Sequence, residues 1–230
     1  MQIGPMQDDE MLLIYAFIRV TRSARVLELG GQLGGSARNF LAATRGLPGA
    51  TVYTVDLIRV RSQAANHVTL KQDATQLTAA DVHNLPIDLV LLDCHHYNAT
   101  IHTLRVLRSA GLIRANTTLA LHDTGLHQVS RDPAHKRRPD VLRAQPGFVV
   151  HELVERLVVE DLRTVGIDGS GRERWAAIHA HRDVVAEGDV LQFRHGLTLM
   201  QLDRALDNEL LRSYTGIGVD TGPGTGGASG

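Results

Sequence analysis

The stretch Arg25-Val26-Leu27-Glu28-Leu29-Gly30-Gly31-Gln32-Leu33-Gly34-Gly35-Ser36 decides how this chain is read. A strand-length apolar run turns on clustered glycines into Ala37 to Arg45, a segment of helical period. That is how an α/β protein brings its backbone close to a nucleotide-like ligand. Glycine is needed where a side chain would block the approach or forbid the turn. The dinucleotide fingerprint G-x-G-x-x-G is not met, because Gln32 stands where its second glycine belongs. Any strand, turn and helix can carry glycines, so the flanking segments must decide.

Upstream, Met11, Leu12, Tyr15, Ile18 and Arg19 recur at helical spacing over residues 8 to 22, with Asp8 and Asp9 at the N-terminal end, where acidic groups favour a helix. This predicts a helix over the first strand. Downstream, Pro48-Gly49 makes a turn and Thr51 to Asp56 reads as a β-branched strand ending in a carboxylate. An acidic residue roughly 20 positions past the glycines is where Rossmann-like sites bind ribose hydroxyls. Asp56 is therefore a ribose candidate, the plain alternative being a solvated Asp that closes a strand.

A third strand is expected at Val68 to Gln72, followed by Asp73 and a short helix over Leu77 to Asn84. Ile87 to Asp93 is nearly continuous in apolar residues, as in a central parallel strand buried on both faces. It delivers Asp93 to a carboxyl edge. Cys94-His95-His96-Tyr97-Asn98, a helix from Ala99 to Ser109 and a fifth strand, Thr117 to Leu121, follow. That strand ends at His122-Asp123-Thr124.

Gly125 to Gly147 is polar and broken by proline, which places it as a cover over the carboxyl edge. Its basic run Arg131 to Pro139 lacks interleaved aromatics and reads as a solvated loop rather than a nucleic-acid patch. Phe148 to Glu160 is helical in pattern. Leu162 to Ile167 and Trp175 to His181 read as strands of a hairpin joined by Asp168-Gly169-Ser170-Gly171. Glu187 to Tyr214 reads as one further helix lined by Leu199, Leu202, Leu206 and Leu210, fit to dock on the domain or to make a homo-oligomer contact. The Gly-rich tail 215–230 has nothing to bury and is expected to be disordered. The expectation is one domain over residues 1–214.

With 230 residues, a single α/β domain with a substantial core is the natural size. A net charge of −1 gives no electrostatic case for nucleic acid or an anionic membrane surface. The only cysteine, Cys94, excludes an intrachain disulfide framework and a zinc site of several thiolates, which fits a reducing cytoplasm. The first ten residues do not read as a signal peptide, and Met11 to Ile18 is too short to span a bilayer.

The order Glu28-x-Gly30-x-x-x-Gly34-Gly35-Ser36 resembles motif I of class I S-adenosylmethionine (SAM) methyltransferases. The form is that of small-molecule O-methyltransferases, including the methyltransferase 24 and cephalosporin-hydroxylase-like groups. The resemblance covers roughly residues 9 to 182. It implies a Rossmann-like α/β fold with a mainly parallel seven-stranded sheet of order 3-2-1-4-5-7-6, in which helix 8–22 helps cover the pocket. It further implies SAM held by Glu28 toward its methionine end, by Gly30, Gly31, Gly34 and Ser36 along the loop, by Asp56 at the ribose, by Asp73 beside the adenine and by Asp93 at the pocket edge. Asp73 could equally cap the next turn.

The two strand-end motifs are similar to those of metal-dependent sugar O-methyltransferases. There an Asp follows strand four, a His three residues later is the base, and an acidic pair follows strand five. Asp93, His96 and Asp123 match, and Cys94 takes a position where glycine is usual, as a small residue rather than a nucleophile. The departure is His122 in place of one carboxylate. The implied ion is Mg²⁺ or another divalent cation on Asp93, His122 and Asp123; without an ion, His122 itself takes the proton. The implied reaction is methyl transfer to a hydroxyl of a small metabolite, a sugar or phenolic compound. A non-catalytic SAM-binding module and an NAD-type oxidoreductase are the alternatives, and Gln32 weighs against the second.

Overall fold

The structure is a computed structural model that describes residues 6, 8–124, 148–167, 169–180, 186–187, 190–191 and 196–202. Its sheet has seven strands: β1 (Arg25–Leu29), β2 (Thr51–Asp56), β3 (His67–Lys71), β4 (Leu89–Leu92), β5 (Thr118–His122), β6 (Trp175–Ala180) and β7 (Leu197–Leu202). The spatial order is 3-2-1-4-5-7-6. Strands β1 to β5 run parallel, and β7 lies antiparallel between β5 and β6. The helices are α1 (Asp8–Thr21), α2 (Gly35–Thr44), α3 (Tyr97–Ser109) and α4 (Phe148–Thr164).

Both faces of the central strands are buried, so apolar residues run on without alternation and each face builds its own core. Val26, Val52, Leu89, Leu91 and Ala120 pack with Ile14 and Ile18 of α1 and Phe40 and Ala43 of α2. Their chain neighbours Leu27, Tyr53, Val90, Leu92, Leu119 and Leu121 point the other way, onto Leu104 and Leu107 of α3 and Val158 and Leu162 of α4. At the amino edge, the Asp88 carboxylate accepts from the backbone N–H groups of Ala24 and Arg25, tying the start of β1 to β4.

Two expectations fail at the C-terminal side. Leu162 to Ile167 is not a strand: α4 continues to Thr164, Leu162 is buried, and the chain turns out at Gly166, where φ is 75° and the N–H bonds back to the Asp161 carbonyl. Consequently β6 pairs not across Asp168 to Gly171 but with β7, inside the segment expected as one helix from Glu187 to Tyr214. A two-residue antiparallel pair, Ala186–Glu187 with Val190–Leu191, interrupts the same segment. Leu197 belongs to one core, and Met200 and Leu202 belong to the other, so this strand too lacks the alternation that would separate it from a helix. The short helix expected over Leu77 to Asn84 is two 3₁₀ turns, Ala74–Gln76 and Ala79–Val82. The expected cover Gly125 to Gly147, residues 203–214 and the tail 215–230 lie outside the described residues.

Candidate functional site

Parallel strands bring their carboxyl ends to one edge, where open α/β sheets bind ligands. Here β1 ends at the glycine loop, β2 at Asp56, β4 at Asp93 and β5 at His122-Asp123. Gly30 and Gly34 have φ of 94° and 77°. A Cβ on Gly30 would overlap the Asp93 carbonyl, and one on Gly31 would overlap Thr54 Cγ2, so these two glycines serve the chain's own packing. At Gly35 a Cβ would meet nothing within 4 Å. It opens α2, whose N-terminus has no side-chain cap and no acidic residue in its first turn. Open N–H groups at a helix start suit an anionic group.

Asp56 braces the loop: its carboxylate accepts from Gln32 N at 2.7 Å and from Ile58 N at 2.9 Å. Two further lone-pair positions remain on that carboxylate for hydroxyls. Glu28 does not line the cleft. It is fully buried below the loop, accepting from Thr54 Oγ1 at 2.8 Å and from Ser36 Oγ. Burial pushes its pKa up to about 7 against the opposing pull of those two hydroxyls. Asp73 is exposed and caps the first 3₁₀ turn through Thr75 N.

The strand-four and strand-five motifs meet in a cluster of six ionisable side chains. His122, the last residue of β5, shares the α1 face with Ala120. Its Nε2 lies 3.1 Å from Glu10 of α1, and its Nδ1 lies 3.1 Å from Asp93 and 3.5 Å from Asp123. From the other face, His95 puts Nδ1 3.1 Å from Glu155 of α4, and Nε2 3.2 Å from Asp93 and 3.3 Å from Asp123. His95 and Asp123 hold left-handed backbone, φ 51° and 60°, which is uncommon for non-glycine residues although His and Asp adopt it more readily than most.

Burial would lower both imidazole pKa values, but the surrounding carboxylates outweigh it. His95 is raised by Glu155, Asp93 and Asp123, and His122 is raised well above its usual range by Asp93, Glu10 and Asp123. Glu155 is fully buried and itself raised by burial, against the pull of His95. Among the described residues four carboxylates face two imidazoles, an acid-rich set. One donor atom from each of Asp93, His122 and Asp123 falls within 4.8 Å of the others, and oxygen-rich donors suit Mg²⁺ or Mn²⁺.

The expected base, His96, is not in this cluster. It is exposed and caps α3, its Nδ1 accepting from Ala99 N at 3.2 Å. The chain turns at His95, so the ring that reaches Asp93 and Asp123 is that of His95 and not His96. The Cys94 thiol lies 3.5 Å from Thr100 Oγ1, and burial raises its pKa, as expected of a packed small residue and not of a nucleophile. Glu10, His95 and Glu155 carried no functional expectation. Glu10 nonetheless shares the face of Ile14 and Ile18 at intervals of four, and Glu155 that of Val158, Val159 and Leu162. A carboxylate on an apolar helical stripe is a signal in itself.

No protein-family model matches the sequence, and no curated protein matches it. Solved structures do. The O-methyltransferase of Bacillus cereus in complex with S-adenosylhomocysteine (SAH) superposes with a TM-score of 0.53 over 87% of this chain and 84% of that one, at 13% identity. The SAH-bound methyltransferase PaMTH1 of Podospora anserina gives 0.55 over 87% and 80%, at 12% identity. The chain therefore has the Rossmann-like class I methyltransferase fold.

Proposed function

We propose that this chain, built on the class I methyltransferase fold, transfers the methyl group of SAM to a hydroxyl of a small molecule. The observation that carries the reading is the convergence, on one sheet edge, of an uncapped helix start behind a glycine loop, the loop-bracing Asp56, and a buried carboxylate and imidazole cluster at the ends of β4 and β5.

SAM supplies a methyl carbon on a sulfonium, open to in-line displacement. The chain's part is to orient the cofactor and acceptor, exclude water and remove one proton. The N–H groups at the start of α2 take the carboxylate of the methionine end, Asp56 takes ribose hydroxyls, and Asp73 stands on the adenine side. Glu28 acts from beneath, fixing Ser36 and Thr54. As the S–CH₃ bond breaks and the O–CH₃ bond forms, the acceptor's proton goes to the His95 ring, which Glu155 orients through Nδ1. His122, which also has a carboxylate at each ring nitrogen, is 1% exposed against 9% for His95, so it orients Asp93 rather than meeting the acceptor. A divalent cation on Asp93 and Asp123 would lower the pKa of the acceptor hydroxyl.

The net charge of −1 favours a small acceptor without high charge. Among the described residues no helix is long and apolar enough to cross a membrane. The test is calorimetric titration with SAM and with NAD, followed by an assay of SAH release over a panel of sugars and phenols. SAM binding with acceptor-dependent SAH release is expected. SAM binding without turnover on any acceptor would indicate a binding module, and binding of NAD alone would overturn the reading.

A further inference from the structure

We infer that Ser36, Glu28, Thr54 and His67 form one hydrogen-bond chain beneath the glycine loop, through which binding of the cofactor's carboxylate end at the start of α2 draws a proton from solvent onto Glu28 and turns the Ser36 hydroxyl hydrogen to the ligand. This rests on the methyltransferase reading for the identity of the cofactor. Thr54 and His67 enter as positioning residues, from β2 and β3.

The chain is continuous and closed at its far end. Glu28 is fully buried, with Oε1 accepting from Ser36 Oγ and Oε2 accepting from Thr54 Oγ1 at 2.8 Å. Thr54 is also buried, and its Oγ1 lies 2.9 Å from His67 Nε2. A hydroxyl has one hydrogen to donate. With Glu28 ionised, Thr54 donates that hydrogen to Oε2, so the bond between Thr54 and His67 requires hydrogen on Nε2. Burial lowers the pKa of His67 and keeps the ring neutral. Its Nδ1 is then a bare acceptor, buried and with no hydrogen-bond partner among the described residues.

A proton added to Glu28 has two places to go. On Oε2 it turns Thr54 toward a nitrogen that already carries hydrogen, and relief requires moving that hydrogen to Nδ1, where a buried N–H would have no acceptor. On Oε1 it bonds to Ser36 Oγ and leaves Thr54 and His67 as they are. Ser36 then has its own hydrogen to give. It is half-buried in the first turn of α2, at the uncapped helix start. An anion bound there favours the protonated state in two ways, by accepting from Ser36 and by repelling a carboxylate beneath it. Asp93 and Asp56, the charged groups that face Glu28 from the ends of β4 and β2, act in the same direction, and a pKa of about 7 leaves the proton exchangeable near neutral pH.

The test is calorimetry of SAH binding to the full chain in phosphate and in Tris, whose different ionisation enthalpies reveal the protons exchanged. At about pH 8 the wild type is expected to take up roughly half a proton or more per SAH, and at about pH 5.5 close to none, because Glu28 already holds it. SAH affinity should accordingly fall roughly tenfold from about pH 7 to about pH 8.5. Methylthioadenosine, which keeps the adenosine and lacks the carboxylate, should bind without uptake. Glu28→Gln cannot ionise and should show near-zero exchange with SAH at both pH values. Ser36→Ala leaves Glu28 in place, and uptake at about pH 8 should fall at least roughly twofold. No uptake in the wild type, equal uptake in Glu28→Gln, undiminished uptake in Ser36→Ala, or equal uptake with methylthioadenosine overturns the inference. Ring-nitrogen NMR of the wild type gives a check free of folding effects: His67 should carry hydrogen on Nε2 with and without SAH, and its transfer to Nδ1 on binding overturns the assigned route. SAH that binds without proton exchange sinks this inference alone, whereas a chain that does not bind SAH takes the methyltransferase reading down with it.

Discussion

A methyl group added to Gly30 would run into the Asp93 carbonyl on a backbone of φ 94°, whereas one added to Gly35 would meet open space. The two glycines therefore do different work although both lie in one motif. Gly30→Ala should destabilise the fold by on the order of 3 kcal/mol or more, from left-handed strain together with overlap against a rigid strand end. Gly35→Ala should change stability by less than about 1 kcal/mol while weakening SAM binding. Urea denaturation and SAM calorimetry on both variants decide the matter, and equal stability of the two would contradict this division. Glu28 makes a pH-dependent prediction. Its pKa rises from 4.5 to about 7 on folding, so the native state holds the proton more tightly. Its contribution is complete below pH 4.5 and is lost as pH rises through 7, a change of about 3 kcal/mol. Glu28→Gln keeps the shape without the ionisation. Its stability should fall less than that of wild type between pH 4.5 and 8, and parallel curves would show that Glu28 is not the titrating group. The two histidines separate as well. His96→Ala should retain most SAH release, whereas His95→Asn should lose roughly a hundredfold or more.

At the level of elements, β1, β2, β4 and α3 were legible because their patterns are local: β-branched or apolar runs, Pro48-Gly49, and a helix expected from Ala99 that opens at Tyr97. The end of α4 and all of β7 were not. Both depend on which distant surface buries them, and Leu197 to Leu202, covered on both faces, carries no period of its own. The site divides in the same way. Asp93, His122 and Asp123 were placed by strand ends, which a sequence reveals. The ring that reaches them was displaced by one residue, because a single left-handed position at His95 sets the loop. Glu10 and Glu155 arrive from helices far away in the chain. Glu10 also ties elements together, with Oε1 accepting from Gly196 N at 3.0 Å and Oε2 facing His122. Glu10→Ala strips a buried imidazole of one partner and uncouples α1 from the entry to β7. It should reduce unfolding free energy by about 3 kcal/mol or more, measured by denaturant titration. A loss below about 1 kcal/mol would mean that water or the Asp93 carboxylate compensates.

Across the whole molecule, the carboxyl edge splits into two halves that the fold supports separately. The half proposed for the cofactor rests on β1, β2 and α2, with Asp56 bracing the glycine loop through Gln32 and Ile58. The half proposed for the acceptor rests on β4, β5, α1 and α4, where the six ionisable residues meet. If SAM binds to the first half, ligand should stabilise the chain irrespective of damage to the second. At a concentration of about 100 times its dissociation constant, SAM adds about 2.7 kcal/mol. For a domain of this size that is roughly 5 to 10 °C in Tm. Asp56→Ala lets go of two loop N–H groups and removes a ribose acceptor, so the shift should fall below about 2 °C at the same SAM concentration. Asp123→Asn keeps the glycine loop and should keep the shift, while SAH release drops by roughly a hundredfold or more. Thermal unfolding with and without SAM, read beside turnover for both variants, tests the division. A shift abolished by Asp123→Asn and retained in Asp56→Ala would place the cofactor in the other half and reverse the assignment of the edge.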